Sequence, residues 1–195
     1  MDGTLVDSHA AVVRAWETWA NENGIDFAAR VLPLAHGRPA DDVVRAVLPD
    51  ADEETVAAGA ARQLALQYDD LSDVHVADGA HELIVFLGER AIPWAVVTSA
   101  DRELARVRLE AAGITPPVLV TVEDVSAGKP DPEGYLSAAR QLGVEPADCV
   151  VVEDTEAGLE AGRRAGAQTA DLCGLAGDLS IADLTELQRA LTSGP

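Results

Sequence analysis

Asp2-Gly3-Thr4-Leu5-Val6-Asp7-Ser8 is the stretch from which the rest of the chain is read. An acid, a turn-forming glycine and a hydroxyl in immediate succession have the composition of an active-site loop. Only Met1 stands ahead of them. A charged Asp and a glycine turn at the very start predict no secretory signal and a cytoplasmic location.

Outward from that loop, Val12, Trp16, Trp19 and Ala20 recur at helical spacing over residues 9–24, with Arg14, Glu17 and Glu22 between them. Gly24 suits the helix end. Pro33, Gly37 and Pro39 mark 32–39 as a loop. Asp41 and Asp42 then open a helix over 40–48, where the dipole favours acids, and an Ala-rich helix is predicted over 53–68. The two tryptophans are read as core. Nothing between 9 and 75 has strand character, so an all-helical block is predicted there.

After Ala77-Asp78-Gly79 the texture changes. A helix over 81–89 leads to a buried strand over 94–98. Helix 101–112, strand 118–121, helix 132–142, strand 149–153, helix 156–165 and strand 168–172 follow, with a terminal helix over 181–191. The apolar runs are short and β-branched, as parallel strands covered on both faces should be. Strict alternation with helices predicts an α/β fold, a doubly wound parallel sheet of Rossmann type. The expected division is a core of residues 1–8 and 76–195 with a helical insert over 9–75.

The balance of residues narrows the function. At 48% hydrophobic, the 195-residue chain can bury a real core, yet its longest apolar runs are strand-sized and too short to span a bilayer. A net charge of −20 works against phosphate backbones and anionic lipid, so neither nucleic acid nor membrane is an expected partner. Any phosphate site must then rest on local cations, helix N-termini or a metal. Cys149 and Cys173 show no metal-ligand spacing and are expected as free thiols. The chain has thirteen Arg and a single Lys, Lys129, which suggests that a compact point charge is needed there.

In an open parallel sheet, ligands bind beyond the carboxyl ends of the strands. Thr98 and Ser99 follow one predicted strand, Glu153 and Asp154 follow another, and Lys129 precedes a Pro-initiated helix. With Asp2-Gly3-Thr4, these form four ordered groups. The order and spacing resemble the haloacid dehalogenase (HAD) superfamily, whose first motif is D-x-D-G-T, and the resemblance covers most of the chain. Gly128-Lys129-Pro130-Asp131-Pro132-Glu133 and Val152-Glu153-Asp154-Thr155-Glu156-Ala157-Gly158 look most like the branch that hydrolyses small sugar and polyol phosphates.

The resemblance implies an HAD-like core with an inserted helical cap, and a Mg²⁺-dependent phosphatase acting through an aspartyl-phosphate. Asp2 would be the acid/base, and its carbonyl, with Asp154, would ligate Mg²⁺. Thr98 or Ser99 would hold the phosphoryl oxygens, Lys129 would neutralise the nucleophile and phosphate, and Glu153 would support them. The residue types fit this chemistry. A carboxylate nucleophile splits phosphate transfer into two easier steps. Cationic partners let it approach a dianion, and Mg²⁺ takes a few carboxylate and carbonyl oxygens together with water. Arg38, in a His36-Gly37-Arg38-Pro39 loop like the segment by which family caps reach substrate, would contact it. An ordinary interhelix turn with Arg38 in solvent suits the same residues.

Met1 stands at the x of the first motif, so the nucleophilic Asp is expected one residue before it. The apolar strand that precedes that Asp in the family is expected upstream too, with the natural start some ten or more residues earlier, about two strand lengths. Without that central strand, two neighbours lose ladder partners and the chain is expected to fold poorly. A phosphomutase of the same fold, or a chain that binds phosphate or a partner without turnover, is the alternative. The expected partner is a small phosphorylated metabolite, and the expected state a monomer or weak homodimer.

Overall fold

A computed structural model describes residues 1–35, 38–69 and 71–193. The chain divides into two compact units, Met1–Asp7 with His75–Pro195, and Ser8–Val74.

Among its described residues, every regular element of the second unit is a helix. α1 (His9–Glu22) buries Ala11, Ala15, Trp16, Trp19 and Ala20 on one stripe, which is why its aromatic residues are core. Their rings meet edge to face at 5.4 Å, a favoured arrangement of aromatic quadrupoles. α2 (Ala40–Val47) adds Val43, Val44 and Val47 to the same cluster, and α3 (Glu53–Asp69) adds Val56. Gly59 lets α3 approach closely, since a β-carbon there would lie 3.0 Å from Val44. A single π-helical turn, Phe27–Val31, joins α1 to the loop before α2, with the Asp26 carboxylate accepting from the Ala29 N–H. Its five residues are too few for a periodicity signal.

The first unit is the α/β layer. β1 (Val6–Asp7) pairs antiparallel with β2 (His75–Val76), Asp7 opposite His75. α4 (Ala80–Glu89) leads to β3 (Val96–Val97), and α5 (Arg102–Ala111) to β4 (Leu119–Val120), which pairs parallel with β3. After α6 (Glu133–Leu142), β5 (Val150–Glu153) pairs parallel with β6 (Gln168–Asp171) around α7 (Glu156–Ala165). β7 (Leu179–Ser180) joins β6, and α8 (Leu184–Ser193) closes the unit against α4 through Leu83, Phe86, Leu184 and Leu187.

The strands over 94–98 and 118–121 are shorter than the sequence suggests, two residues each, and the terminal helix begins at Leu184 rather than 181. β2, β7 and the β1 pairing leave no clear trace in the sequence, because two-residue strands have no alternation to read. The parallel strands fall into two separate groups, β3–β4 and β5–β6–β7. Among the described residues, the edges of β3 and β5 away from β4 and β6 have no strand partner. Between them lies a cavity of about 380 Å³. No described helix is long and apolar enough to cross a membrane, and Cys149 and Cys173 are free.

Candidate active site

The first loop is wound around one carbonyl. Met1 O accepts from the backbone N–H groups of Thr4, Leu5 and Val6 at 3.2, 2.9 and 3.1 Å. This turn needs Gly3 in the left-handed region, at φ +68°. The glycine has a second reason. A β-carbon on Gly3 would lie 1.9 Å from Asp154 Oδ2, so the backbone beside Asp2 and the Asp154 carboxylate press together.

Lys129 gathers two strand ends. Its ammonium donates to the Val97 carbonyl at 3.4 Å and pairs with the Glu153 carboxylate. Val97 ends β3 and Glu153 ends β5, so one side chain joins the second and fourth motifs. Glu133 fixes the loop that delivers it. Its carboxylate accepts from the Ser126 N–H at 2.8 Å, the Ser126 hydroxyl at 2.6 Å and the Ala127 N–H at 3.1 Å.

Glu153 is almost fully buried and saturated with donors. Beside Lys129, it accepts from the Tyr135 hydroxyl, and from the Thr155 hydroxyl at 3.0 Å. Burial alone would raise its carboxyl, but the Lys129 charge, the chain's amino group and these donors hold it below the usual value. Asp154 goes the other way. Burial and the neighbouring Glu153 charge raise it, so the site carries negative charge that a cation would relieve. The Met1 amino group is lowered by burial and by the Lys129 charge, against the opposing charges of Glu153, Asp2 and Asp154.

Thr98 and Ser99 differ in what their hydroxyls do. Thr98 is buried and its Oγ accepts from the Ala100 N–H at 3.1 Å, while Ser99 is exposed. A cavity of about 20 Å³ is lined by both of them and by Gly128, Lys129 and Tyr135. Asp2, Thr98, Ser99, Lys129, Glu153 and Asp154 thus all lie in one unit, at the carboxyl ends of β3 and β5. Arg38 lies in the helical unit and is exposed, and its neighbours His36 and Gly37 fall outside the described residues.

Two residues had no role in the reading of the sequence. Tyr135 sits in the first turn of α6, where only its short spacing from Lys129 could have flagged it. Arg108 is buried on α5, with a guanidinium nitrogen 2.8 Å from Asp2 Oδ1. A charged residue on the apolar stripe of α5 was its one available signal.

Residues 1–166 match the haloacid dehalogenase-like hydrolases. The chain belongs to this family. It is 41% identical over 167 residues to hexitol phosphatase A of Escherichia coli, covering 85% of this chain and 77% of that one. It is 36% identical over 200 residues to validoxylamine A 7'-phosphate phosphatase of Streptomyces hygroscopicus, covering 96% and 93%. The fold is that of a family IA HAD hydrolase from Entamoeba histolytica, with a TM-score of 0.81 at 24% identity over 95% and 92% of the two chains. The chain is therefore an HAD-family hydrolase with a Rossmann-like core.

The residues fit a divalent cation. Among the described residues no three His, Cys, Asp or Glu side chains cluster as a metal cage. Mg²⁺ does not need one, because it retains water and accepts one or two carboxylates with a carbonyl. The Asp154 carboxylate, pressed against the Asp2–Gly3 backbone while Lys129 pairs with Glu153, is such a donor set.

Proposed function

We propose that this HAD hydrolase is a phosphatase for a small sugar or polyol phosphate and works through an aspartyl-phosphate. The observation that carries the reading is the position of Lys129, whose ammonium spans the ends of β3 and β5 beside Asp154. The names of the two relatives, phosphatases of a hexitol phosphate and of validoxylamine phosphate, support the substrate class.

In this reading Lys129 lowers the electrostatic barrier between a phosphate dianion and an attacking carboxylate. Thr98 or Ser99 holds the phosphoryl oxygens. Asp2 donates a proton to the leaving alkoxide and takes one from the attacking water, and Arg108 orients its carboxylate. Glu153, with Tyr135, positions Lys129. Mg²⁺ would be held by Asp154 and the Asp2 carbonyl and would supply charge neutralisation at the phosphate. The nucleophile is expected one residue ahead of Met1. The helical unit serves as a cap with Arg38 as a substrate contact, and the site is cytoplasmic.

The test is phosphate release with Mg²⁺ from hexitol, glycerol and hexose phosphates. Extended ahead of Met1 by an apolar strand and an aspartate, the chain is expected to release phosphate. Starting at Met1, it is expected to bind without turnover. Isomer formation without release would make it a mutase, and inertness of the extended form would overturn the proposal. In that form Arg38→Ala should raise KM more than it lowers kcat.

A further inference from the structure

The loop after β3 is stitched along one flank to the loop after β4. The Thr98 N–H donates to the Val120 carbonyl at 3.0 Å, and the Val122 N–H donates to the Ala100 carbonyl at 3.3 Å. The Arg102 N–H then donates to the Glu123 carboxylate at 2.8 Å. The bonded positions are 98, 100 and 102, so the alternation of a strand runs on past the end of β3. Ser99 lies between the first two and is exposed.

Glu123 closes this flank from another part of the chain. Asp101 caps α5 locally by accepting from the Leu104 N–H at 2.8 Å. Glu123 comes from 21 residues beyond Arg102 and ties two loops together. It belongs to a 3-10 turn, Val122–Asp124, that follows the buried Thr121. The Thr121 N–H and hydroxyl both donate to Asp124 Oδ2 at 2.8 Å, and the hydroxyl lies 3.2 Å from Glu123 Oε2. The other Asp124 oxygen pairs with the Arg102 guanidinium. The turn therefore meets Arg102 twice, Glu123 at the backbone and Asp124 at the side chain. The backbone contact governs where the loop lies, because the exposed guanidinium can swing without moving the main chain.

Thr98 and Ser99 line a small cavity with Lys129. The Lys129 loop is held by the Glu133 carboxylate on the N–H groups of Ser126 and Ala127. Glu123 does the same for the facing loop. A displacement of about 1 Å in such a support is enough to weaken a site. We infer that Glu123 is a positioning residue for the Thr98–Ser99 loop, acting through the Arg102 N–H. That it holds the loop stands by itself, and that the loop holds phosphate rests on the phosphatase reading.

The test compares the chain with Glu123→Ala, Glu123→Gln and Arg102→Ala by amide hydrogen exchange, and by calorimetric titration with inorganic phosphate and Mg²⁺. In Glu123→Ala, exchange at the Thr98 and Ala100 amides should quicken about tenfold and phosphate should bind about tenfold more weakly. Exchange at the Leu159 amide, on α7, should stay as it was. Glu123→Gln keeps a carbonyl acceptor and should restore both readouts to within about threefold. Arg102→Ala keeps the N–H and should leave the loop amides unchanged. Should the alanine variant fail to fold, Glu123→Asp decides, since it keeps the charge but draws the carboxylate back by one methylene and should loosen the loop. Unchanged exchange at Thr98 and Ala100 would overturn the proposal, and so would acceleration that extends to Leu159. Loosening by Arg102→Ala as large as that by Glu123→Ala would overturn it too, because the guanidinium would then be the anchor. A loosened loop with undiminished phosphate affinity would refute the role in binding. A loosened loop in a chain that never binds phosphate would sink the phosphatase reading and leave the anchor standing.

Discussion

Arg108, almost wholly buried on α5, holds its guanidinium 2.8 Å from the carboxylate of Asp2. The pair joins the first loop of the chain to a helix from its middle, and it fixes the acid that the proposed chemistry uses.

Removing the guanidinium should be felt in stability as well as in turnover. Arg108→Met is expected to cost about 1.5–3 kcal/mol in urea denaturation, the range for hydrogen bonds to charged groups. In the double variant with Asp2→Asn the cost should fall short of the sum of the single effects. Strict additivity would show that the pair contributes no coupling.

Two helical glycines should respond oppositely to alanine. A β-carbon at Gly158 would lie 2.1 Å from the Glu153 carboxyl carbon, whereas one at Gly88 meets nothing within 4 Å. Gly158→Ala should lower the melting temperature and displace Glu153 from Lys129. Gly88→Ala should stabilise by about 0.5–1 kcal/mol. Calorimetry on both variants decides it, and equal shifts would refute the close approach of α7 to Glu153.

Lys129→Arg tests the point charge. A planar guanidinium does not copy a single ammonium that serves both the Val97 carbonyl and Glu153. Phosphate release by the extended chain should fall by roughly 100-fold or more, the scale of losing one transition-state donor. Near-normal turnover would rule the point-charge role out.

Acid should weaken the turn after β4 through Asp124. The Thr121 N–H and hydroxyl, and then Arg102, hold its carboxyl below the usual range of 3.8. A lowered carboxyl stabilises the fold above its unfolded value, and that contribution disappears as pH falls through the folded value. Urea midpoints taken from about pH 6 down to about pH 3 should therefore drop more steeply for the natural chain than for Asp124→Asn. Parallel curves would contradict the assignment.

The helices were legible because each carries a run of at least eight residues, long enough to display its period. α7 was predicted over 156–165 and occupies Glu156–Ala165. The candidate site was legible as residue types near strand ends, since Thr98, Lys129, Glu153 and Asp154 need only the order of elements to be placed. What the sequence could not display are relations between distant residues. Asp2 and Arg108, or Asp7 and His75, are neighbours only after the chain has returned. Tyr135 looks like one more residue on an amphipathic helix until its hydroxyl is seen to meet Glu153.

The pairing of β1 with β2 has a consequence for what this fold can tolerate. The chain departs for the helical unit at Asp7 and comes back at His75, and those two residues sit opposite each other on adjacent antiparallel strands. Such ends can be bridged by a hairpin of about two residues. Excising residues 8–74 and splicing in a tight turn would leave the α/β layer with its own connectivity unbroken. The insert is in that sense a cassette, exchangeable at one doorway for a helical block of different length.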